Sequence, residues 1–446
     1  MSNDLNLKYT GNVFVDAGIS AITTRFKINI NEVTVNHLRE LSKEIAKLYL
    51  TDGWKKNMHS IFPNSVLVNN AVKGDREVVY LKELNFLIDN IPDISYNGNC
   101  MACGCRDSLN LFQKKSIPLT GSGSLKNYFS FANDGVDYCP LCALLVQFSP
   151  LVMYQSKNFI LLHSNSEKVM SYWAKKALKN INKQEVIGEY SGCFNEGFNN
   201  PVNAIFQIIS NIIFSYDERW VDENPSINFY FFTNYNQNPD LEIFSFPTNV
   251  FRFLAYIPAD ERNNWDNIIK KGYYIKDWSK IKTFDDYKNI SNDVYISLLK
   301  NKSILRYFYD FKSKKALCSW NLIQYYLKEV LNMDEKRINI IKELGDKLSV
   351  YIKTKDSMKT LNSLENAKYY NTFRNILRKI MKDKIKSQDK DLLFTFDDYV
   401  NYLFPEGNKN WKEIQDLLLF RIYEKLQDWL IDNENIKEEN DEKEDE

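Results

Sequence analysis

Residues 99–105 read N-C-M-A-C-G-C and residues 138–143 read Y-C-P-L-C-A, so the chain carries two C-x-x-C motifs. A C-x-x-C turn places two thiolates on one side of a tight loop. Two such turns brought together supply the tetrahedral set of sulfurs that zinc prefers. The spacing therefore predicts a structural Zn2+ ion bound by Cys100, Cys103, Cys139 and Cys142. A site closed by four sulfurs stabilises a fold and offers no open position for catalysis.

Other interpretations of these cysteines stay open, namely disulfides, a redox pair and unliganded thiols. The chain begins M-S-N-D without a charged and then apolar leader, so we expect a cytoplasmic protein, in which disulfides are rare. The presence of two pairs argues against a single thioredoxin-like redox motif. Cys105 is a fifth candidate ligand that could substitute for one of the four, whereas Cys193 and Cys318 stand alone and fit small core residues.

The charges of the chain balance overall but are unevenly distributed. There are 58 basic and 58 acidic residues, yet residues 432–446 contain nine acidic and two basic side chains. The rest of the chain therefore carries a net positive charge of the same size. We expect 432–446 to form an acidic disordered tail. The longest apolar runs are too short to span a membrane.

The first 290 residues mix helical and strand patterns, without the regular βαβ alternation of a nucleotide-binding sheet. Apolar spacing predicts helices within 31–52 and at 166–180. Alternating patterns predict one hairpin at 151–163 and another that joins 227–233 to 241–246. A strand or turn is expected at 13–15 and a short strand at 65–69. Residues 75–87 and 201–214 fit either a helix or a strand.

Beyond residue 291 apolar residues recur at intervals of three and four, which predicts a helical bundle. The helices are predicted around Ile304–Phe311, Leu322–Val330, Ile338–Leu348, Phe373–Ile380 and Leu417–Leu426. The fold class is therefore α+β. We expect a mixed α/β domain at 1–290 with a zinc-binding insertion at about 95–145, a helical bundle at 291–431 and the tail at 432–446.

Three stretches of this chain are basic. The insertion between the cysteine pairs, 113–127, is expected to be a flexible polar loop with lysines, and the segments Lys300–Lys315 and Lys353–Lys386 are rich in Lys and Arg. Basic runs on helices are often only solvated faces. They also fit a surface that binds a nucleic-acid backbone, and both interpretations stay open.

The motifs of several enzyme classes are absent from the sequence. There is no Gly-Lys dipeptide and hence no P-loop, no histidine precedes an aspartate, and neither H-E-x-x-H nor G-x-S-x-G occurs. We therefore expect a binding or scaffolding protein with no catalytic residues. A carboxylate-dependent nuclease with a structural zinc is a less favoured alternative.

The segment T-G-N-V-F-V-D-A-G at 10–18, followed by C-M-A-C and then C-P-L-C, resembles the CXXC-CXXC family of CRISPR-associated proteins. Its members are large subunits of type I-B Cascade complexes. The resemblance implies a non-catalytic role in antiviral defence. The subunit would help to recognise the motif that flanks the target (the PAM), bind the opened double-stranded target and its displaced single strand, and recruit the helicase-nuclease. The partners would be the CRISPR RNA and the other Cascade subunits. In RNA-guided systems base pairing reads the sequence, while the protein reads duplex shape and a few base pairs.

Only the four cysteines can be transferred from the family motif to this chain. Asn12 and Asp16 belong to its N-terminal part, where we expect a turn-stabilising role. The nucleic-acid contacts are hypotheses from charge alone. The candidates are Lys114, Lys115, Lys126 and Asn127 in the insertion, and Lys312, Lys314, Lys315, Arg374, Arg378, Lys379 and Lys382 in the bundle.

Two alternatives concern the partners of the chain. The small subunit of related complexes is made by internal translation, and Met333 or Met358 could start such a polypeptide, although both also fit core methionines. The chain could instead be an unrelated zinc-ribbon accessory protein that binds DNA or RNA on its own.

Overall fold

The computed structural model describes residues 5–95, 97–120, 135–214, 225–236, 238–275, 279, 281–389 and 391–444. The chain divides into two compact units. Unit 1 comprises Met1–Thr248 and Ser279–Asn289, and unit 2 comprises Asn249–Trp278 and Ile290–Glu446. Residues 249–278, which the sequence analysis placed in the N-terminal domain, thus belong to the same unit as the C-terminal helices.

Unit 1 combines helices with two small antiparallel sheets. Its helices are α1 (Val13–Phe26), α2 (Val35–Leu48), α3 (Asp52–Ile61), α4 (Arg76–Asp89), α5 (Pro140–Phe148), α6 (Glu167–Ile187) and α7 (Pro201–Phe214). Short 3₁₀ turns lie at Ile30–Glu32, Ser149–Val152 and Phe284–Asn289. Its strands are β1 (Asn110–Phe112), β2 (Val136–Tyr138), β3 (Tyr154–Gln155), β4 (Phe159–Ser164), β5 (Ile227–Thr233) and β6 (Asp240–Phe246).

Helix α1 lies at the centre of unit 1. All residues from Phe14 to Ile22 are buried, and the helix packs against α5, α6, β4 and the 3₁₀ turn that follows α5. A helix that is buried on every side has no polar face and so shows little apolar periodicity. The expected strand or turn at 13–15 is for this reason wrong, because these residues form the first turn of α1.

The larger sheet has the strand order β3-β4-β5-β6, with every neighbouring pair antiparallel. It confirms both predicted hairpins, and the register pairs Leu161 with Tyr230 and Tyr230 with Ile243. The helices predicted within 31–52 and from 166 are also confirmed, and the ambiguous segments 75–87 and 201–214 are helical.

The predicted strand at 65–69 is wrong. The backbone N–H groups of Val68 and Asn69 both donate to the carbonyl of Ser65, at 3.1 and 2.9 Å, so the segment is a turn. It follows Asn64, whose φ of 63° is left-handed and does not continue an extended strand.

Unit 2 is mainly helical, which confirms the α+β class with a C-terminal helical region. Its helices are α8 (Thr248–Ala255, starting at the last residue of unit 1), α9 (Arg262–Lys271), α10 (Asp293–Leu299), α11 (Trp320–Glu329), α12 (Glu335–Thr354), α13 (Met358–Glu365), α14 (Tyr370–Lys386), α15 (Phe396–Asp398) and α16 (Trp411–Glu444). Further turns are the 3₁₀ segments Ala259–Glu261 and Leu305–Tyr307 and the π-helical segment Tyr399–Leu403. The apolar faces of α12 and α16 pack together as the main helix pair.

The helix predicted around Ile304–Phe311 is wrong. This stretch contains the 3₁₀ turn and strand β7 (Tyr309–Asp310), which pairs antiparallel with β8 (Lys315–Ala316). The Asp310 carboxylate accepts hydrogen bonds from the backbone N–H groups of Lys312 and Ser313, at 2.9 and 3.0 Å, and so fixes a tight turn. An aspartate that bonds the backbone two residues later competes with helix formation.

The structure continues α16 to Glu444, so its backbone is helical through most of the acidic segment that we expected to be disordered. Glutamate and lysine are good helix formers, which accounts for the helical backbone there. Among the described residues, no helix is long and apolar enough to cross a membrane.

Candidate metal centre

The first C-x-x-C turn is closed by its own backbone. The N–H of Gly104 donates to the carbonyl of Cys100 at 2.9 Å, and Gly104 has a φ of 64°, which glycine adopts without strain. The N–H of Met101 donates to the carbonyl of Asp137 at 2.7 Å, which connects this turn to the strand that leads into the second cysteine pair. The first pair is therefore held against β2.

The second C-x-x-C turn is the N-terminus of α5. Cys139 occupies the N-cap position, its sulfur accepts a hydrogen bond from the N–H of Cys142 at 3.4 Å, and Pro140 occupies the first turn. A helix N-terminus carries partial positive charge, which stabilises a thiolate there. All nine residues of α5 are buried, so the position of Cys142 is fixed by the core of unit 1.

The two turns bring four sulfurs together. The Sγ atoms of Cys100, Cys103, Cys139 and Cys142 lie within 4.8 Å of one another, and those of Cys103 and Cys139 are 3.9 Å apart. We call these four residues the cysteine cluster. Cys105 is not part of it, although its N–H points to the sulfur of Cys103.

The electrostatics of the cysteine cluster fit a cation site. Hydrogen bonds from the thiols of Cys100, Cys139 and Cys142 lower the pKa of Cys103. Hydrogen bonding with Cys100, Cys103 and Cys139 instead raises the pKa of Cys142. Protons are thus shared unequally, because several thiolates cannot lie this close together without a counter-charge. A divalent cation would supply that charge and bind all four sulfurs. The arrangement is consistent with a metal site.

The N-terminal motif, Thr10–Gly18, forms the start of α1. The Asn12 side chain caps the helix by accepting from the N–H groups of Phe14 and Val15, both at 3.2 Å. The Asp16 carboxylate is buried and accepts from the N–H of Thr10, the hydroxyl of Thr10, the N–H of Gly11 and Nε2 of His163. These contacts agree with the turn-stabilising role expected for Asn12 and Asp16.

The N-terminal motif and the cysteine cluster share one local structure. Nδ2 of Asn12 donates to the hydroxyl of Tyr138, the residue before Cys139, at 2.7 Å. A Cβ atom added to Gly18 would lie 1.9 Å from the carbonyl oxygen of Leu145, so glycine lets α1 approach the backbone of α5 closely. The N-terminal motif is therefore in direct contact with the second C-x-x-C segment, through residues 126 positions apart in sequence.

Three residues that the sequence analysis did not single out contribute to this structure. The buried Arg106 guanidinium donates to the carbonyls of Pro92 and of Leu5, the latter at 2.7 Å, and so joins the first turn to the N-terminal segment. Tyr138 and His163 supply the contacts with Asn12 and Asp16. The only signal for Arg106 and Tyr138 was their position directly beside the cysteine pairs.

Residues 93–154 match the family model described as CRISPR-associated protein (Cas_CXXC_CXXC). The matched segment contains the whole cysteine cluster and α5. The match supports a CRISPR-associated protein of the CXXC-CXXC family. No curated protein and no solved structure matches the chain.

The residues of the insertion at 113–127 that we expected to bind nucleic acid have different environments. Lys114 is only 8% exposed, and its carbonyl accepts from Nδ2 of Asn234 at 3.1 Å, so this part of the insertion is an ordered turn instead of the expected flexible loop. Lys115 is exposed. Lys126 and Asn127 lie outside the described residues.

The candidates around residue 312 lie on the turn of the β7–β8 hairpin. Lys312 and Lys315 are exposed, but Nζ of Lys314 bonds to a Glu365 carboxylate oxygen at 3.1 Å and to Oδ1 of Asn362 at 2.9 Å. Because Glu365 is itself buried, this ion pair stabilises unit 2, and Lys314 is not available as a free surface charge.

The candidates on α14 form a more uniform surface. Arg378, Lys379 and Lys382 are exposed, and none of them forms an ion pair with another described residue. We call these three residues the α14 cation stripe. Arg374 is half-buried, with its guanidinium 5.7 Å from the ring centre of Tyr370. The acidic Asp383 nearby is already paired with Lys355 at 3.2 Å.

Proposed function

We propose that this chain is the large subunit of a type I-B Cascade complex and has no catalytic activity of its own. In this role it takes part in recognition of the target-flanking motif, binds the opened target DNA, and recruits the helicase-nuclease during antiviral defence. The observation that carries the proposal is the CXXC-CXXC family match over 93–154, the segment that contains the cysteine cluster.

The contact between the N-terminal motif and the cysteine cluster supports the same proposal. The family match does not extend to residues 10–18, but Asn12 and Gly18 of that segment contact the matched segment directly. A shared local structure explains why both parts of the family pattern occur in one chain.

We assign Zn2+ to the cysteine cluster. Zinc prefers four tetrahedral thiolates, and a four-sulfur site is structural because it has no position left for water or substrate. When bound, the ion would neutralise the thiolates and connect the strand β2 and helix α5 to the first C-x-x-C turn. Its role in the proposed function is thus to keep unit 1 folded.

The surface we propose for nucleic acid in unit 2 is the α14 cation stripe. Arg378 and Lys382 are four residues apart on the same face of α14, which is about 6 Å along the helix axis. Neither has an ion-pair partner among the described residues. Lys and Arg at such spacing bind successive phosphates of a strand and position it without reading its sequence. Among the described candidates of unit 1, Lys115 is the exposed one, and we propose it for a contact near the flanking motif.

Affinity purification of the full chain from its native cell, with sequencing of the bound RNA, tests the proposal. We expect a uniform guide RNA and a fixed set of other subunits to co-purify, as in an RNA-guided complex. Purification of the chain alone, with salt-sensitive DNA binding that needs no RNA, would instead indicate a zinc-ribbon accessory protein. Magnesium-dependent cleavage by the lone chain, lost on substitution of one or two acidic residues, would indicate a nuclease.

The same purification tests whether a small subunit arises from this gene. We propose Met333 or Met358 as its first residue, since Met358 begins α13 and Met333 precedes α12. Intact-mass analysis should then find a second polypeptide that starts at one of them. If only the full-length chain is found, internal translation is rejected.

A further inference from the structure

Unit 2 presents a short hairpin that the proposed function does not use. Strands β7 and β8 pair with Asp310 opposite Lys315, and the turn between them, residues 311–314, reads F-K-S-K. We call residues 311–315 the hairpin tip. Turn positions usually hold small or polar residues, yet Phe311 is 48% exposed and forms no ring contact with another described aromatic residue. The tip thus exposes an aromatic side chain that unit 2 itself does not use for packing.

The hairpin tip is held firmly against the rest of unit 2. The Asp310 carboxylate accepts from two backbone N–H groups of the turn and pairs with Nζ of Lys271 at 3.3 Å. Nζ of Lys314 pairs with a carboxylate oxygen of Glu365, a side chain that is only 5% exposed. A turn fixed by such contacts loses little conformational entropy when it binds a partner. Phe311 is therefore presented on a preorganised support.

The same ion pairs decide which charges remain free at the tip. The carboxylates of Asp310 and Glu365 each bind a lysine already. Lys312 and Lys315 are exposed, and neither forms an ion pair with another described residue. One is the neighbour of Phe311 and the other lies opposite Asp310, so their Cα atoms lie within about 10 Å of that of Phe311. The tip combines one aromatic ring with two available cations.

This combination fits an unpaired base in a nucleic-acid strand. The faces of bases are covered in a duplex, whereas in a single strand they can stack on an aromatic side chain while lysines bind the neighbouring phosphates. An acidic protein segment would pair with the lysines but has no flat face for the ring. A membrane surface is the weaker fit, because one aromatic side chain buries little apolar area and membrane binding scales with that area.

We propose that the hairpin tip binds one unpaired base of single-stranded DNA by stacking on Phe311, with Lys312 and Lys315 at the neighbouring phosphates. The tip accepts any base, because every base has an aromatic face. The inference rests on the proposed binding of opened target DNA, and it adds a contact to the bases where the α14 cation stripe contacts phosphates. A base stacked on Phe311 is not paired, so binding there favours the opened state of the duplex.

Titration of the full chain with a fluorescent strand tests the proposal. The strand is oligothymidine of about 12 nucleotides with one central 2-aminopurine, whose emission falls when it stacks on an aromatic ring. We expect the parent chain to bind the strand and to reduce the emission. Phe311→Ala should weaken binding at least about fivefold, the lower limit for one stacked base, and should remove the reduction in emission. Phe311→Trp keeps an aromatic face and should keep both effects.

The matched control is Phe396→Ala. Phe396 is 80% exposed, but two aspartates follow it directly in the sequence, so its removal should leave binding unchanged. Phe311→Leu separates stacking from apolar contact, because leucine keeps an apolar side chain without the aromatic face. This variant should bind as weakly as Phe311→Ala does.

The outcomes separate this inference from the proposed function. If the parent chain binds the strand and Phe311→Ala or Phe311→Leu binds it equally well, the hairpin proposal is overturned and the proposed function stands. If the parent chain does not bind the strand, both the hairpin proposal and the proposed binding of opened DNA are contradicted. If Phe311→Ala abolishes only binding to vesicles of equal parts phosphatidylcholine and phosphatidylserine, the tip contacts a membrane and the hairpin proposal is overturned.

Discussion

The substitution Asp16→Asn tests whether the N-terminal motif and the cysteine cluster form one structure. The carboxylate of Asp16 is 1% exposed and accepts four hydrogen bonds, from the N–H and hydroxyl of Thr10, the N–H of Gly11 and Nε2 of His163, at 2.7–3.0 Å. The first two reach one carboxylate oxygen and the last two reach the other. Asparagine has a single acceptor oxygen, so it can satisfy only one of these pairs.

The expected cost follows from the bonds that are lost. A hydrogen bond to a charged acceptor contributes about 1.5–3 kcal/mol, so the loss of two reduces the free energy of unfolding of this region by about 3–6 kcal/mol. The amide NH₂ group would also face the N–H of Gly11 and Nε2 of His163, which adds to the cost. Because α1 is buried among α5, α6 and β4, this loss should destabilise the whole of unit 1.

Hydrogen exchange measured by mass spectrometry is the suitable assay, because it reports α1 separately from unit 2. Amides of Val13–Phe26 should exchange about 100-fold faster or more in the variant, since each 1.4 kcal/mol is a factor of ten. A chelator should also remove the metal faster. Asn12 lies in the same capping turn and donates a hydrogen bond to Tyr138, which is next to Cys139 of the cysteine cluster. Local unfolding of this turn should therefore make the metal site less rigid.

Asp75→Asn is the matched control for this experiment. Asp75 caps α4 through one exposed hydrogen bond from the N–H of Glu77 at 2.8 Å, and asparagine caps a helix as well as aspartate does. This variant should therefore exchange like the parent protein. If Asp16→Asn changed the exchange of α1 no more than Asp75→Asn does, the role given to Asp16 would be refuted.

Two further predictions concern unit 2. Replacement of both Arg378 and Lys382 by Gln should weaken single-stranded DNA binding and reduce the slope of log K against log salt by about 1.4, because each phosphate contact contributes about 0.7; titrations at several salt concentrations measure this slope. Burial raises the pKa of Asp416, and the Tyr309 hydroxyl partly opposes the shift. A raised folded-state pKa means that protonation favours the folded state. The free energy of unfolding of the parent protein, relative to that of Asp416→Asn, should therefore fall as the pH rises through that pKa. Urea denaturation at several pH values measures this difference.

The control for the cation stripe is the pair Lys328→Gln and Lys425→Gln, which removes the same charge from exposed positions of unit 2 that lie outside the basic segments. If both double variants reduced the salt slope equally, net charge and not the α14 surface would explain the binding. For Asp416 the informative result is a pH-independent difference between variant and parent, since it would mean that this carboxyl does not titrate with folding.

The cysteine cluster was predictable from the sequence because the metal-binding pattern is local. Each C-x-x-C motif forms its turn within a few residues, and Gly104 and Pro140 mark the required backbone conformations. Only the meeting of the two turns is a long-range event. Hairpins such as β5–β6 were predictable for a similar reason, since alternation and a turn sequence lie within 20 residues of each other.

The secondary-structure predictions were wrong where burial on all sides, or a local side-chain hydrogen bond, decides the structure and the spacing of apolar residues does not. Helix α1 is buried all round and shows no amphipathic stripe, so its first turn resembled a strand. The spacing of Ile304 and Phe308 looked helical, but the turn fixed by Asp310 produces a hairpin instead. In the same way the charge of Lys114 and Lys314 suggested a surface role, whereas one is buried and the other is paired with Glu365.

The contacts of Arg106, Tyr138 and His163 could not be predicted from the sequence alone. Each joins residues that are about 100 or more positions apart, and no short pattern records such a distance.

Native mass spectrometry of the purified chain tests most directly the claim that the cysteine cluster is a structural zinc site. We predict one zinc ion per chain. The ion should be lost in Cys142→Ser, together with faster exchange in α1 and α5, and retained in Cys105→Ser, whose sulfur lies outside the cluster. A folded chain that contains no metal, with all four sulfurs reactive and the exchange of α1 unchanged, would contradict this claim.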